Sequence, residues 1–195
     1  MEKETRTKLY SLITGLLVAF SMIYMAEKIG EVYTMGEAAL SSEDTYVVVV
    51  DAGHGGFDPG KVGINGAEEK DINLAIAQKV AEYLEAGDVK VVMTREDGEG
   101  LYDPESDNKK VKDIKLRVEI MESARPDLTV SIHQNSYPEE YVHGAQVFYH
   151  EDSEEGKRLA DYIQKQFVAQ VDPENTRQIK ANDSYYLLKK QPCQL

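Results

Sequence analysis

The stretch YVVVVDAGHGG, which spans residues 46–56, decides the interpretation of the rest of the chain. Its run of β-branched valines is typical of a strand that is buried on both faces of a sheet. The glycines that follow allow positive φ angles and a close approach of the backbone to other groups. The stretch therefore predicts a buried strand that ends in a tight loop, and this loop carries one of the four histidines of the chain, His54.

Helical and extended patterns alternate downstream of this strand. Apolar residues at helical spacing predict helices at 71–86, 111–121 and 153–170. Apolar, β-rich runs predict further strands at 90–93, 128–133 and 145–150. Strands that alternate with helices indicate a single α/β domain, with a mostly parallel, twisted sheet that is flanked by helices.

The helix predicted at 71–86 is amphipathic. Its apolar stripe consists of Ile72, Ile76, Val80 and Leu84, widened by Ala75 and Tyr83. Such a stripe is expected to face the core, while the polar residues of the helix face solvent.

The first 26 residues have the layout of a secretory signal peptide or of a membrane anchor. An uncharged apolar run at 9–26 follows a short segment that carries lysine and arginine. This length is near the lower limit for a helix that spans a bilayer. No small-residue cleavage site directly follows Ala26, which favours a retained anchor. The basic flank predicts a cytoplasmic N-terminus with the domain outside, and the polar segment 27–44 is expected to be a linker.

Charge and cysteine content exclude several classes of protein. The formal net charge is −13, which argues against a nucleic-acid-binding protein because these usually carry a basic surface. The single cysteine, Cys193, rules out an internal disulfide, so the fold must depend on its core or on a metal. A cysteine two residues from the chain end is also poorly placed to act as a nucleophile.

Two histidines follow predicted strands and are candidates for a shared site. His54 follows the first strand, and His133 ends the third. Loops at the carboxyl ends of parallel strands converge on one crevice, so the two imidazoles could meet there. Catalytic zinc commonly has three protein ligands, and either Glu68 or Glu69 could complete a His₂Glu set. The competing interpretation is that each histidine is an ordinary loop or core residue.

Motifs along most of the chain carry a family resemblance. They are VVVVDAGHGGFDPGKVGINGAEEKDINLAIA at 47–77, TR at 94–95, LR at 116–117, SIHQNS at 131–136, GAQVFYH at 144–150 and SYYLLK at 184–189. In this order they resemble the amidase-3 family of N-acetylmuramoyl-L-alanine amidases. The last two motifs resemble the spore-cortex, germination-specific branch of that family in particular.

The resemblance implies which residues form the site. It assigns the Zn²⁺ ligands to His54, Glu69 and His133, and it selects Glu69 over Glu68 because the family's glutamate precedes a lysine. Gln134 and Asn135 would then flank the metal and contact the substrate, although Asn135 could equally satisfy backbone groups of its loop. Arg95 could bind a peptide carboxylate or form a structural salt bridge, and His143 and His150 are expected to be structural.

The resemblance also implies a function. The expected reaction is zinc-dependent hydrolysis of the amide bond between N-acetylmuramic acid and L-alanine in peptidoglycan, during maturation of the spore cortex. The enzyme would act outside the cytoplasm, in the cell wall or the forespore intermembrane space, either secreted or anchored to the membrane. An accessory lipoprotein or wall protein is an expected partner, and nucleic acid is not.

A catalytic glutamate on a last core strand is a further feature that the resemblance implies. The residues after Lys190 are Gln-Pro-Cys-Gln-Leu, so this glutamate is expected beyond Leu195 and the catalytic residue stays unassigned. The catalytic domain at 45–195 is accordingly expected to be incomplete at its C-terminus and to lack that strand. Two alternatives stay open: a weak or inactive fragment that binds zinc or the wall, and another zinc peptidase of the cell wall.

Overall fold

The computed structural model describes residues 45–137, 139 and 141–190. The apolar run at 9–26, the segment 27–44 and Cys193 lie outside the described residues, and what the sequence predicts for them stays a prediction. Within the described ranges, no helix is both long enough and apolar enough to cross a membrane.

Strands and helices alternate through the part of the chain that the structure describes. The strands are β1 (Val47–Ala52), β2 (Lys90–Met93), β3 (Leu128–Ile132), β4 (Phe148–Tyr149) and β5 (Lys180–Ala181). The helices are α1 (Glu69–Glu85), α2 (Lys109–Ala124), α3 (Glu154–Gln166) and α4 (Tyr186–Lys190), with a π-helical turn, Phe167–Val171, directly after α3. This order confirms the predicted α/β class.

The pairing of these strands is parallel throughout. One sheet has the order β2-β1-β3, and β4 pairs with β5 in a second sheet of two strands. The predicted fourth strand is shorter than expected, because only two residues of 145–150 join this second sheet. In the first sheet Ala52 is the register partner of Ile132, so β1 and β3 end side by side. The loops that carry His54 and His133 therefore start at the same edge.

The central strand β1 is covered on both faces. Val48, Val50 and Ala52 form a buried cluster with Ala77 of α1. Side chains alternate along a strand, so Val49 and Asp51 face the opposite side. There Asp51 pairs with Arg117 of α2, which shows that α2 packs against that second face. Helices on both faces explain why almost all of this valine run is buried.

The core face of α1 differs from the one predicted. The buried residues of this helix are Glu69, Asn73, Ala77 and Ala81. Ile72 and Ile76 are 39% and 41% exposed, and Tyr83 is 82% exposed. Ala75 is exposed as well. The prediction was wrong for these four residues because the most apolar stripe does not mark the contact. The small side chains of Ala77 and Ala81 let the helix approach β1 closely. The buried polar residues in its first two turns, Glu69 and Asn73, contact the loops after β1 and β3.

A buried polar cluster ties the three strands together at their carboxyl ends. Oδ1 of Asp51 in β1 accepts hydrogen bonds from Thr94, just after β2, at 2.8 Å and from Arg117 at 2.6 Å. Its Oδ2 accepts from Ser131 of β3 at 2.6 Å. Burial alone raises the pKa of the Asp51 carboxyl, but the Arg117 charge and these hydrogen bonds outweigh it and lower the pKa. Asp51 is therefore ionised in the folded chain.

Replacing the buried carboxylate, in Asp51→Asn, should destabilise the chain by about 3–5 kcal/mol at pH 7, because it removes one partner of a buried ion pair. The folded-state pKa of Asp51 lies below its ordinary value of 3.8, so its contribution is complete above that pH and is lost as the pH falls below it. Urea unfolding from pH 7 to pH 3 should show the gap between wild type and variant narrowing by up to about 1 kcal/mol, and only below about pH 4.

The exposed pair of Arg158 and Glu155 on α3 provides the control. Glu155→Gln should change the free energy of unfolding by less than about 1 kcal/mol, since surface ion pairs contribute little. A gap between wild type and Asp51→Asn that stays constant down to pH 3 would contradict the pKa argument.

Candidate metal centre

The loop that carries His54 is held by two buried arginines. Arg117 donates to the carbonyl oxygens of Ala52 at 2.7 Å and of His54 at 2.6 Å. Arg95 donates to the carbonyls of Ala52 at 2.9 Å and of Gly53 at 3.1 Å. His54 has a φ of 63°, a left-handed conformation that few non-glycine residues adopt. The four hydrogen bonds hold the backbone in this conformation.

Arg95 has a structural role that neither of its predicted roles describes. It is buried, and it also donates to the backbone carbonyls of Lys70 at 2.7 Å and Asp97 at 2.6 Å. Its hydrogen bonds thus go to carbonyl oxygens and not to a carboxylate. It connects the loop after β1 with the start of α1 and with the loop after β2.

Glu69 reaches the site from the first turn of α1. Its Oε2 accepts a hydrogen bond from the Lys61 amide at 2.8 Å, and its Oε1 accepts one from the Gln134 amide at 2.9 Å. Glu68, which the spacing left open as an alternative, pairs instead with Lys70 at 2.9 Å. The geometry therefore brings Glu69, and not Glu68, to the histidines.

The two histidines meet at one oxygen of Glu69. His54 Nε2 lies 3.2 Å from Glu69 Oε1, and His133 Nδ1 lies 3.1 Å from the same atom. The imidazole rings stand edge to face, with centroids 4.9 Å apart. A ligand atom from each of the three residues lies within 4.8 Å of the others, which fits a group that could hold a metal ion.

The donor set has the chemistry and the spacing of a zinc site. Two imidazole nitrogens and one carboxylate are an established set of three protein ligands for catalytic zinc. Metal–ligand distances of about 2.0–2.1 Å in a tetrahedron place neighbouring ligands about 3.3 Å apart. The two separations from Glu69 Oε1, 3.2 and 3.1 Å, are close to that edge, and all three ligand atoms lie within 4.8 Å of one another. His143 and His150 are not in this group: His143 lies 3.5 Å from Asp172, and His150 accepts from the Asp152 amide.

Asp58 contacts the candidate ligand His54, and the sequence alone did not identify it as a residue of the site. Its Oδ2 lies 3.0 Å from His54 Nδ1 and 3.0 Å from Lys110 Nζ. Burial raises the pKa of Asp58, but the bonds to His54 and Lys110 outweigh it and lower the pKa. The ionised carboxylate of Asp58 orients the His54 ring through Nδ1, and this leaves Nε2 turned toward Glu69. The signal in the sequence is a carboxylate four residues after the histidine, within the same loop.

Glu69 is ionised over the whole neutral range. Burial raises the pKa of its carboxyl, yet the contact with His133 and the amides of Lys61 and Gln134 outweigh this and hold the pKa far below its ordinary value. The side chain is 4% exposed, whereas that of His133 is 45% exposed. The centre therefore combines a buried negative charge with a histidine that faces solvent.

The two residues predicted to contact substrate lie directly after His133. Gln134 donates from its side chain to Asn73 Oδ1 at 3.0 Å, in addition to the backbone contact with Glu69. Asn135 follows it and is exposed. The role of both toward a substrate stays a prediction.

Comparison with known proteins identifies the family. The family described as N-acetylmuramoyl-L-alanine amidase matches residues 48–194, which include every residue of the candidate centre. The chain belongs to the N-acetylmuramoyl-L-alanine amidase family. The resemblance inferred from the motifs is thereby confirmed.

Relatives in the amidase family share both sequence and fold with this chain. The germination-specific N-acetylmuramoyl-L-alanine amidase of Bacillus subtilis (strain 168) is 34% identical over 147 residues, or 73% of this chain and 61% of the relative. The chain thus spans about three fifths of that relative's length. The CwlD amidase from Clostridioides difficile, solved in complex with the GerS lipoprotein, is 37% identical with a TM-score of 0.74, over 77% of this chain and 79% of that chain. AmiC2 of Nostoc punctiforme is 32% identical with a TM-score of 0.63, over 76% and 75%.

Gly60 lies directly against the candidate metal centre, so a substitution there tests where the centre is. Gly60 has a φ of 69°, and a Cβ there would lie 2.7 Å from both Glu69 Oε2 and His54 Cδ2. Gly60→Ala should weaken Zn²⁺ binding about tenfold or more, because it displaces two of the candidate ligands. Titration of metal-free protein against a chromophoric chelator measures this change.

Gly66 is the matched control. Its φ of 80° imposes a similar backbone cost on alanine, but a Cβ there meets nothing within 4 Å. Gly66→Ala should lose about 1–2 kcal/mol of stability, because alanine is strained in the left-handed region, and Gly60→Ala should lose at least as much. Equal Zn²⁺ affinities for Gly60→Ala and Gly66→Ala would contradict the placement of the centre.

Proposed function

We propose that this chain is a zinc-dependent hydrolase that cleaves the amide bond between N-acetylmuramic acid and L-alanine in peptidoglycan. The observation that carries the proposal is the convergence of His54, Glu69 and His133, with ligand atoms within 4.8 Å, in a member of the amidase family. The names of the relatives support the choice of bond.

The three converging side chains would hold the zinc ion. When bound, zinc supplies a Lewis acid that polarises a carbonyl oxygen and lowers the pKa of a water molecule to about 7. His54 and His133 would each offer one ring nitrogen to the ion, and Asp58 orients the His54 ring through its contact with Nδ1. Glu69 supplies one negative charge and needs no deprotonation at neutral pH, since its pKa is low.

The substrate would approach from the side of His133. That ring is 45% exposed, whereas the side chains of Glu69 and His54 are 4% and 18% exposed. A long polymer would therefore approach the centre over the His133 ring. We assign substrate contact to Gln134 and Asn135, because they continue the chain directly after His133.

The biological setting that we propose is maturation of the spore cortex. The relative from Bacillus subtilis is named germination-specific, and the structural relative CwlD was solved with a lipoprotein. We therefore propose that this chain acts outside the cytoplasm, on peptidoglycan, with an accessory lipoprotein as its partner.

Product analysis tests the proposed reaction. Incubation of the chain with purified peptidoglycan and Zn²⁺ should release intact stem peptides that begin with L-alanine, detected by mass spectrometry. Removal of zinc by a chelator should abolish release, and added Zn²⁺ should restore it, because the ion supplies the electrophile. Glu69→Gln should lower both Zn²⁺ affinity and activity, since it removes the anionic ligand.

Other products would support other functions. Loss of a C-terminal D-alanine would indicate a zinc carboxypeptidase, and cleaved sugars would indicate a glycosidase. Zinc bound by the wild type without any turnover would favour a module that only binds metal or wall. Exposed Lys165→Ala on α3 is the control, and its activity should equal that of the wild type, because its ion pair with Asp161 is exposed.

The accessory partner needs a separate test. A lipoprotein of the GerS kind, from the same organism as this chain and without its lipid, should form a stable complex with it in size-exclusion chromatography with light scattering. An unrelated lipoprotein of similar size is the control. Separate elution of the two proteins at micromolar concentrations would contradict the proposed partner and leave the reaction untouched.

A further inference from the structure

Asn73 lies within the candidate metal centre without being a candidate ligand. It is on α1, one turn after Glu69, and its side chain is 0% exposed. Its Nδ2 donates to the Gly53 carbonyl at 3.2 Å and makes a longer contact of 3.4 Å with Glu69 Oε1. Its Oδ1 accepts from Gln134 Nε2 at 3.0 Å. Both ends of this one carboxamide are thus in use.

Each partner of Asn73 adjoins a different candidate ligand. Gly53 directly precedes His54, and Gln134 directly follows His133. Glu69 is itself a candidate ligand. The carboxamide therefore bonds to the loop after β1, to the loop after β3 and to the first turn of α1, which are the three segments that deliver the ligands.

We propose that Asn73 is the positioning residue of this centre, and that its carboxamide fixes the three ligand-bearing segments relative to one another. The inference rests on the proposed function, because it assigns Asn73 a role toward the zinc site. It concerns the assembly of the ligands and not the bond that is cleaved.

The chemistry of the partners explains why an amide is needed. The Gly53 carbonyl and the Glu69 carboxylate both accept hydrogen bonds, so they require the donor end of the side chain. The Gln134 amide group donates, so it requires the acceptor end. Aspartate would offer no donor to Gly53, and an apolar residue would leave a buried carbonyl without its partner, which is costly.

Zinc affinity of the folded, metal-free chain is the measurement that tests this role. Asn73→Ser should weaken Zn²⁺ binding about tenfold or more, as expected when a group that orients metal ligands is lost. Gln134→Met keeps the length of the side chain and removes its bond to Asn73, while the backbone amide still donates to Glu69, so it should weaken Zn²⁺ binding by about threefold or more. Circular dichroism and the melting temperature without metal show whether each variant is folded.

Gln78→Ala is the matched control on the same helix. Gln78 also carries a carboxamide, which donates to the Glu96 carbonyl at 3.1 Å, but it is exposed and does not contact the centre. The Zn²⁺ affinity of the Gln78→Ala variant should stay within about twofold of that of the wild type, because only groups next to the metal ligands affect metal binding. If Asn73→Ser acted only by destabilising α1, Gln78→Ala should lower the Zn²⁺ affinity as well.

The double variant tests whether the two residues act together. Asn73 and Gln134 share a hydrogen bond, so the combined loss in Zn²⁺ affinity should be smaller than the product of the two single losses. Independent, multiplicative losses would contradict a shared positioning role.

The outcomes separate the inference from the proposed function. If the wild type binds Zn²⁺ and releases stem peptides while both single variants bind as it does, the role of Asn73 is wrong and the function stands. If the wild type binds no Zn²⁺, the proposed function and the inference both fail. If Asn73→Ser does not fold, Gln134→Met decides, and wild-type affinity in that variant overturns the inference.

Discussion

Hydrogen bonding of the backbone where the chain leaves β1 is the constraint on which the rest of the site depends. Buried carbonyls need donors, and here no neighbouring strand supplies them once the ladder ends. Two guanidinium groups take over, since each offers five donors in a rigid plane. Arg95 bonds the carbonyls of Ala52 and Gly53, and Arg117 those of Ala52 and His54. The left-handed conformation of His54 persists because its surroundings determine it.

Burying two cations next to one strand requires compensation. Arg117 is balanced by Asp51 and by Asp113, with each ion pair at 2.6 Å. Burial lowers the pKa of Arg95, and the nearby Arg117 lowers it further, but an arginine stays protonated in proteins. Among the residues that the structure describes, no buried side-chain nitrogen or oxygen lacks a hydrogen-bond partner. This complete pairing is what makes a charged cluster tolerable in the interior.

The sequence predicted the parts of this arrangement that depend on local pattern. The valine run, the alternation of elements and the strand-end positions of His54 and His133 led to the α/β class and to the meeting of the two imidazoles. The core face of α1 was not predictable in this way. Ala77 and Ala81 are buried because their small side chains allow close packing, and not because they are the most hydrophobic residues of the helix. The contact of Asp58 with His54 spans only four residues, and its signal was present in the sequence. The contacts of Asn73 with Gly53 and Gln134 depend on tertiary geometry, which a spacing rule does not contain.

The polar cluster also explains how two distant histidines come to face one point. Buried ion pairs often contribute little net stability compared with apolar residues of the same volume, so stability alone does not account for the cluster. Asp51 and Ser131 are register partners on β1 and β3 and are hydrogen-bonded at 2.6 Å. A slip by one residue would turn every side chain of β3 to the other face of the sheet and would break this bond. This bond therefore belongs to the register that puts Ala52 beside Ile132, and the loops that carry His54 and His133 start from that point.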